Sequence, residues 1–379
     1  MNAGVRRLAL NLETLVSFLV GVALLIAGAE ILVRGASRLA ATIGVSPLVI
    51  GLTVVAFGTS SPELAVSLQA SVAGEPDIAL GNVVGSNVFN VLFILGLSAL
   101  IAPLVVAQRL VRFDVPLMIG VSVLLLVLAL DGSISQFDGL VLTGGIVGYC
   151  LFAIRQSLSE SPAVRAEYEK EFGDRALRTS QRLLNILLVV IGLGMLMLGS
   201  RWLLSGAVAI AEALGVSKLV IGLTIIAAGT SLPEVATSVV AGIRRERDIA
   251  VGNVVGSNLF NVLAIVGFSS VVAADGIRVA PAALRFDIPV MIAVSAACLP
   301  IFFTGYRIAR WEGLLFLAYY AGYTLYLILD AAGHDALPAF SAMMGLFVIP
   351  LTLVTLAVLT VRALKIRRVA EDAGDAAQQ

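Results

Sequence analysis

The sequence predicts an all-α polytopic membrane protein made of two inverted five-helix repeats, ten core transmembrane helices in all, plus an eleventh helix near the C-terminus. Three observations lead there. Apolar residues make up 59% of the chain and charged residues 13%, with a mean hydropathy of +1.02. Apolar runs long enough to cross about 30 Å of hydrocarbon recur from residue 15 to residue 363. A block of 40 residues, Gly51 to Asn90, returns without a gap as Gly222 to Asn261, at an offset of 171 and with 25 identities.

Hydropathy places the spans near 15–40, 45–73, 77–103, 113–130 and 136–157, and again near 183–211, 217–243, 248–273, 284–304 and 310–330. Similarity between the halves extends beyond the central block. Gly21, Gly28 and Gly35 in the first span match Gly192, Gly199 and Gly206 in the sixth; Arg112-Phe113-Asp114-Val115-Pro116 resembles Arg285-Phe286-Asp287-Ile288-Pro289; Phe137-Asp138-Gly139-Leu140 resembles Trp311-Glu312-Gly313-Leu314. Five spans per half is an odd number, so the second copy must cross in the opposite sense, as in many secondary transporters. The chain divides into a first repeat (1–157), a charged linker (158–182), a second repeat (183–330), and a tail region (331–379) with an eleventh span near 340–363 that has no counterpart.

The N-terminus has the look of a cleavable signal, with Arg6 and Arg7, an apolar run and the small triplet Ala27-Gly28-Ala29. The repeat match at Gly21, Leu25, Gly28, Leu32, Gly35 and Ala36 argues for retention, since a removed segment would take a repeat helix with it. Basic residues in short loops set the orientation. With the N-terminus outside, the inner face holds Arg34, Arg38, Arg109, Arg112, six residues from Arg155 to Arg182, Arg244, Arg245, Arg247, Arg307, Arg310 and four in the tail, which is 19 of 25. The linker and the tail are then cytoplasmic. No basic patch is interleaved with aromatics, which excludes a nucleic-acid partner. Cys150 and Cys298 fall inside spans and read as small packing residues.

Each copy of the block carries a proline-glutamate pair at membrane depth. Glu63 and Glu234 sit about a dozen residues into their spans, where an isolated carboxylate costs on the order of 3 kcal/mol or more. Pro62 and Pro233 have no N–H for the carbonyls of Gly58 and Gly229, so backbone carbonyls at 56–59 and 227–230 are expected to be freed beside the hydroxyls of Thr59, Ser60, Thr230 and Ser231. In lipid such backbone survives only where protein, water or an ion satisfies it. The stretch Gly81 to Asn87, with its copy Gly252 to Asn258, pairs glycines spaced for close helix approach with Asn and Ser oxygens. Ser86 and Asn90 are four apart on one helix face, which a Glu63-bearing helix would complete into a cage. Two carboxylates with neutral oxygens suit a hard cation such as Ca2+ or Na+; the absence of Cys and His ligands argues against zinc or copper. Asp77 and Asp248 read as helix N-caps, and an ion pair between Glu30 and its repeat equivalent Arg201 is a further possibility.

These motifs resemble the alpha repeats of the cation/calcium antiporter superfamily, bacterial sodium/calcium exchanger group, over about 330 residues. The resemblance implies ions bound between the second, third, seventh and eighth spans. Glu63 and Glu234 would ligate Ca2+ with the backbone carbonyls of Thr59 and Thr230; sodium sites would fall on Ala56, Ser60, Ser86, Ala227, Ser231 and Ser257; Asn90 and Asn261 would line the centre. Sliding of the first and sixth spans, the ones of lower contact, would switch access. Some members carry Asp where Asn261 stands, which leaves ion stoichiometry and potassium dependence open.

The expected activity is antiport of Na+ against Ca2+ across a bacterial inner membrane. It needs no cofactor: Ca2+ and Na+ are cargo, and membrane lipid is the other partner. A cation/proton antiporter using the same carboxylates is the alternative, and a channel using the same oxygens is a further one. An enzyme is not expected. A hydrolase acting through Ser60 or Ser231 would lack a base, since no His lies in a span, no Lys lies near either serine, and His334 falls in an outer loop. Oligomeric state is not legible.

Overall fold

The computed structural model describes residues 12–158, 179–216, 218–355, 357, 358 and 361. Thirteen helical segments are described, of which nine are long and apolar enough to cross a membrane and one bent pair makes a tenth span. They are α1 (Leu12–Ile43), α2 (Pro47–Thr59), α3 (Ser61–Val72), α4 (Pro76–Ile101), α5 (Leu110–Leu128), α6 (Gln136–Leu158), α7 (Thr179–Ala213), α8 (residues 218–229), α9 (Leu232–Ile243), α10 (Arg247–Val272), α11 (Ala283–Phe303), α12 (Arg310–Ala331) and α13 (Leu337–Thr355). The second crossing is α2 plus α3 and the seventh is α8 plus α9. Span ends fall within a few residues of those expected from hydropathy, and Gly44, Gly74, Gly132 and Gly215 supply positive φ at four of the turns.

The α1 and α7 helices form a tight antiparallel pair, because small residues let their backbones touch. A Cβ at Gly21 would lie 2.5 Å from the Leu203 backbone nitrogen, and one at Gly192 would lie 2.7 Å from that of Leu32. Glycines seven apart on each helix thus form one continuous seam. These two spans, expected to be the ones of lower contact, pack closely on each other and touch the other helices chiefly at the second and seventh crossings.

The remaining crossings pack around α4 and α10. The apolar window of α10 is buried throughout and that of α4 over 72% of its residues. Two short antiparallel ladders tie loops together: β1 (Leu104–Val105) pairs with β4 (Arg307–Ile308), and β2 (Ser133–Ile134) with β3 (Ile277–Arg278). Each ladder joins two loops that the five-span inverted plan assigns to the same face. The repeated motifs do repeated work: Tyr149 OH donates to Asp114 Oδ1 (3.0 Å) in the first half and Tyr323 OH to Asp287 Oδ1 (3.2 Å) in the second. Asp138 accepts the Ser135 N–H (2.8 Å) and Glu312 that of Ala309 (2.7 Å), each at the start of its helix.

Asp77 and Asp248 are not N-caps. Glu75 and Glu246 hold the cap positions, and the aspartates sit in the first turns of α4 and α10, where negative charge complements the exposed N–H groups. Cys150 and Cys298 are free thiols within α6 and α11. His334 accepts the Ala336 N–H in the turn before α13 (3.1 Å). The eleventh helix starts at Leu337 and none of its apolar window is buried; the hydroxyl of Tyr319 donates to Thr352 Oγ1 (2.7 Å) and so holds it to α12. Most of the 158–182 linker, at 159–178, and the tail from 362 lie outside the described residues, as do residues 1–11.

Candidate ion-binding site

The proline of each block breaks its crossing where the sequence places it. Between α2 and α3 the axis bends by 47°, at Ser60 (φ −80°, ψ 7°); between α8 and α9 the hinge residue is Ser231 (φ −86°, ψ 10°). Pro62 and Pro233 occupy the first turns of α3 and α9, where a missing N–H costs nothing. Glu63 and Glu234 share those first turns, so two positive helix ends and two carboxylates meet at the centre of the bundle. The C-terminal ends of α2 and α8, which expose carbonyls, arrive at the same level.

The expectation of freed carbonyls from Ala56 to Thr59 needs correction in part. The Ala56 carbonyl accepts the Ser60 N–H (3.0 Å) and the Phe57 carbonyl accepts the Ser61 hydroxyl (2.9 Å). The Gly58 carbonyl also accepts a backbone N–H at the α2 end, and the ladder resumes with the Leu64 N–H on the Ser60 carbonyl (3.1 Å). The tight turn at Ser60 thus gives the Gly58 carbonyl a donor in place of the N–H that Pro62 lacks. The Ala56 oxygen also lies 3.4 Å from the Thr59 hydroxyl.

Both carboxylates are buried, and each is held by the opposite repeat. Ser231 Oγ donates to Glu63 Oε1 (2.7 Å), and Ser60 Oγ donates to Glu234 Oε1 (2.8 Å). Ser231 also lies 3.4 Å from Ser86 Oγ. Thr59 Oγ1 donates to Asn253 Oδ1 (3.1 Å). Below the carboxylates the amides cross in the same reciprocal manner: Asn90 Nδ2 donates to Asn258 Oδ1 and Asn261 Nδ2 to Asn87 Oδ1, both at 2.9 Å. Each bond uses one N–H of the Asn90 and Asn261 amides and leaves their oxygens without a partner among the described residues.

What remains is a set of buried oxygens without a protein hydrogen bond among the described residues. It comprises Glu63 Oε2, Glu234 Oε2, Asn90 Oδ1, Asn261 Oδ1, Ser257 Oγ and Thr230 Oγ1. Leaving such groups unpaired in a low-dielectric interior is costly. Two carboxylates and four neutral oxygens are the chemistry that would suit a hard cation. Of the residues expected from the sequence, Ser60 is bonded to Glu234, and Ser231 to Glu63 and Ser86; Thr59, Asn90 and Asn261 bond instead to Asn253, Asn258 and Asn87, and the Thr230 and Ser257 hydroxyls are without a partner among the described residues. Ala227 is placed in α8 by its backbone.

Two supporting residues, Ser67 and Ser238, went unnoticed in the sequence. Asn82 Nδ2 donates to Ser67 Oγ and Asn253 Nδ2 to Ser238 Oγ, both at 3.0 Å, and Asn82 also reaches the Glu63 carbonyl (3.3 Å). Ser67 and Ser238 follow their glutamates by four residues and match across the repeat, so helical spacing combined with the offset would have found them. The possible Glu30 to Arg201 pair does not form: Glu30 is bound by Arg34 and Arg244.

Comparison with known proteins agrees with this architecture. The family model described as sodium/calcium exchanger protein matches residues 13–155 and 184–329. The putative antiporter CaxA of Alkalimonas amylolytica is 38% identical over 309 residues, covering 80% of this chain and 95% of its own. The sodium/calcium exchanger MaX1 of Methanosarcina acetivorans is 32% identical over 340 residues, covering 82% and 97%. A solved structure of the sodium-calcium exchanger NCX_Mj, soaked with 10 mM Na+ and zero Ca2+, superposes with a TM-score of 0.70 at 31% identity, over 84% of this chain and 98% of that one. With two matched halves, a shared fold and full-length relatives, the chain belongs to the sodium/calcium exchanger protein family.

Proposed function

We infer that this antiporter exchanges Na+ for Ca2+ at a single site between Glu63 and Glu234, by alternating access. The observation that carries the reading is the reciprocal pair of bonds from Ser231 to Glu63 and from Ser60 to Glu234, which leaves one free oxygen on each buried carboxylate. Two negative charges match one Ca2+. The same oxygens serve Na+ in its place, so loading with one cation excludes the other, and that competition is the coupling.

In this reading the glutamates and the Thr59 and Thr230 carbonyls hold Ca2+. Ala56, Ser60, Ser86, Ala227, Ser231 and Ser257 supply the oxygens for Na+, and Asn90 and Asn261 close the centre. The protein sits in a bacterial inner membrane with its N-terminus outside and its 158–182 linker and tail in the cytoplasm, which accords with the 19 basic residues on that face and with ladders that join same-face loops.

Ca2+ uptake into proteoliposomes driven by an outward Na+ gradient tests the exchange. Uptake that requires the Na+ gradient is the expected result. Uptake that ignores Na+ and follows a pH gradient would overturn it in favour of cation/proton antiport, and single-channel conductance would overturn it in favour of a channel.

A further inference from the structure

The two ends of the site are covered unequally, and the repeat offset of 171 identifies which contacts are missing. At the end that carries Arg244, α1 lies along α9. Polar contacts close that seam: Arg244 Nε donates to Glu30 Oε2 (2.7 Å), Arg34 pairs with Glu30, and Ser37 Oγ donates to Glu246 Oε1 (3.0 Å). At the other end the equivalent helices, α7 and α3, scarcely touch. Val66 on α3 is 39% exposed, whereas its equivalent Thr237 is 0% exposed.

The glycines report the same asymmetry from a different pair of helices. A Cβ at Gly256 would lie 2.5 Å from the Leu52 carbonyl, and one at Gly252 would lie 3.1 Å from that of Leu48, so α2 is pressed onto α10. At the equivalent positions Gly81 and Gly85, nothing lies within 4 Å. The close-packing role read from these glycines therefore holds in the second copy and not in the first. Both carboxylates are buried in this state, and the packing over them is close at the α9 end and loose at the α3 end.

The offset takes Glu30 to Arg201, Ser37 to Val208, Arg244 to Ala73 and Glu246 to Glu75. The loosely packed end thus has an ion pair of its own in waiting, with the charges exchanged: a cation on α7 and an anion on the turn between α3 and α4. Both side chains are exposed, and neither is in a salt bridge among the described residues. Because the glycine seam locks α7 to α1, α7 can close on α3 only as α1 leaves α9. Placing α7 against α3 as α1 now lies against α9 brings Arg201 beside position 73, two residues from Glu75 and within the span of an arginine side chain.

We propose that Arg201 and Glu75 form the ion pair that closes the α3 end in the alternate state, as Glu30 and Arg244 close the α9 end in this one. The two pairs exclude each other, and all four are positioning residues for exchange. This inference rests on the alternating-access reading.

The test uses the full chain in proteoliposomes, with Cys150→Ala and Cys298→Ala and one reporter, Val66→Cys, labelled by a membrane-impermeant maleimide from the α3 side. Removing a pair present only in the closed state shifts the open-to-closed ratio by about two- to fivefold, the range an exposed ion pair commands. Arg201→Gln and Glu75→Gln should each raise labelling by that factor, their combination should add nothing, and Arg201→Glu with Glu75→Arg should restore the parent rate. Arg244→Gln should lower it. Single variants without effect, independent additivity, or a swap that fails to restore would overturn the pair. A parent whose labelling ignores both Na+ and Ca2+ would overturn alternating access and the pair with it; a parent that responds, alongside Arg201 and Glu75 variants that behave identically to it, overturns the pair alone.

Discussion

Replacing Glu63 by Gln should remove Ca2+ binding while leaving the fold intact. In the proposed reading the two buried carboxylates balance one divalent cation; Glu63 and Glu234 each spend one oxygen on a serine and keep one free. Gln keeps the volume and still accepts the Ser231 hydroxyl, but the loaded site then carries one uncompensated positive charge away from water. Breaking a buried pair in this way costs about 3–5 kcal/mol, which at 1.4 kcal/mol per decade weakens Ca2+ binding by about 10²–10⁴-fold. A direct assay is the shift in thermal unfolding of the purified protein with added Ca2+. At 100 times the parent Kd the ligand stabilises by about 2.7 kcal/mol, and Glu63→Gln should lose nearly all of that shift while its unfolding without Ca2+ stays at or above the parent value, since one buried charge has gone. Glu234→Gln should behave alike, because its contacts mirror those of Glu63. A Glu63→Gln protein that keeps the full Ca2+-dependent shift would refute the paired-carboxylate site.

Ser60→Ala and Ser231→Ala each delete a hydrogen bond to a buried carboxylate worth about 1.5–3 kcal/mol, so each should weaken Na+-driven Ca2+ uptake by about ten- to hundredfold, in equal measure; a large effect in one alone would contradict the reciprocity. Gly192→Val forces a side chain to within 2.7 Å of the Leu32 backbone, and overpacking of this kind should lower stability by about 1–3 kcal/mol and reduce exchange, with the unfolding midpoint as the check. Removing residues 337–379 should leave the exchange rate within about twofold, because α13 buries none of its apolar window and is tied to α12 mainly through Tyr319; loss of activity would show that the eleventh helix supports the site.

The repeat made much of this legible. Glu63 and Glu234 stand out because a carboxylate in a lipid-length apolar run is expensive, and an identical offset for both rules out accident. Proline beside each announced a broken helix, and α2 and α3 are indeed bent apart at Ser60. Ser67 and Ser238 were obscured because a serine one turn from a glutamate carries no cost of its own; only its bond to Asn82 or Asn253 marks it. Asp77 and Asp248 were misplaced by two residues or fewer because an acidic residue favours both the cap and the first turn, and the chain puts a glutamate at the cap instead. Glu30 and Arg201 looked like partners because they match in the repeat, yet matched residues in inverted halves lie at opposite ends of the site rather than beside each other.

By itself the sequence determined the membrane as solvent, the inverted halves, and the identity of the two carboxylates and most of their neighbours, since each follows from local transfer cost or from the offset of 171. Tertiary structure alone decided that each glutamate is held by the other repeat's serine, that the glycines of α1 and α7 join those helices to one another, and that the α9 end is closely packed while the α3 end is loosely packed. Identical motifs occur in both halves, so no local signal can report a difference between them. That difference exists only in how the rigid α1 and α7 pair is set against the rest, and such a choice belongs to packing, where one face can be covered only by uncovering the other.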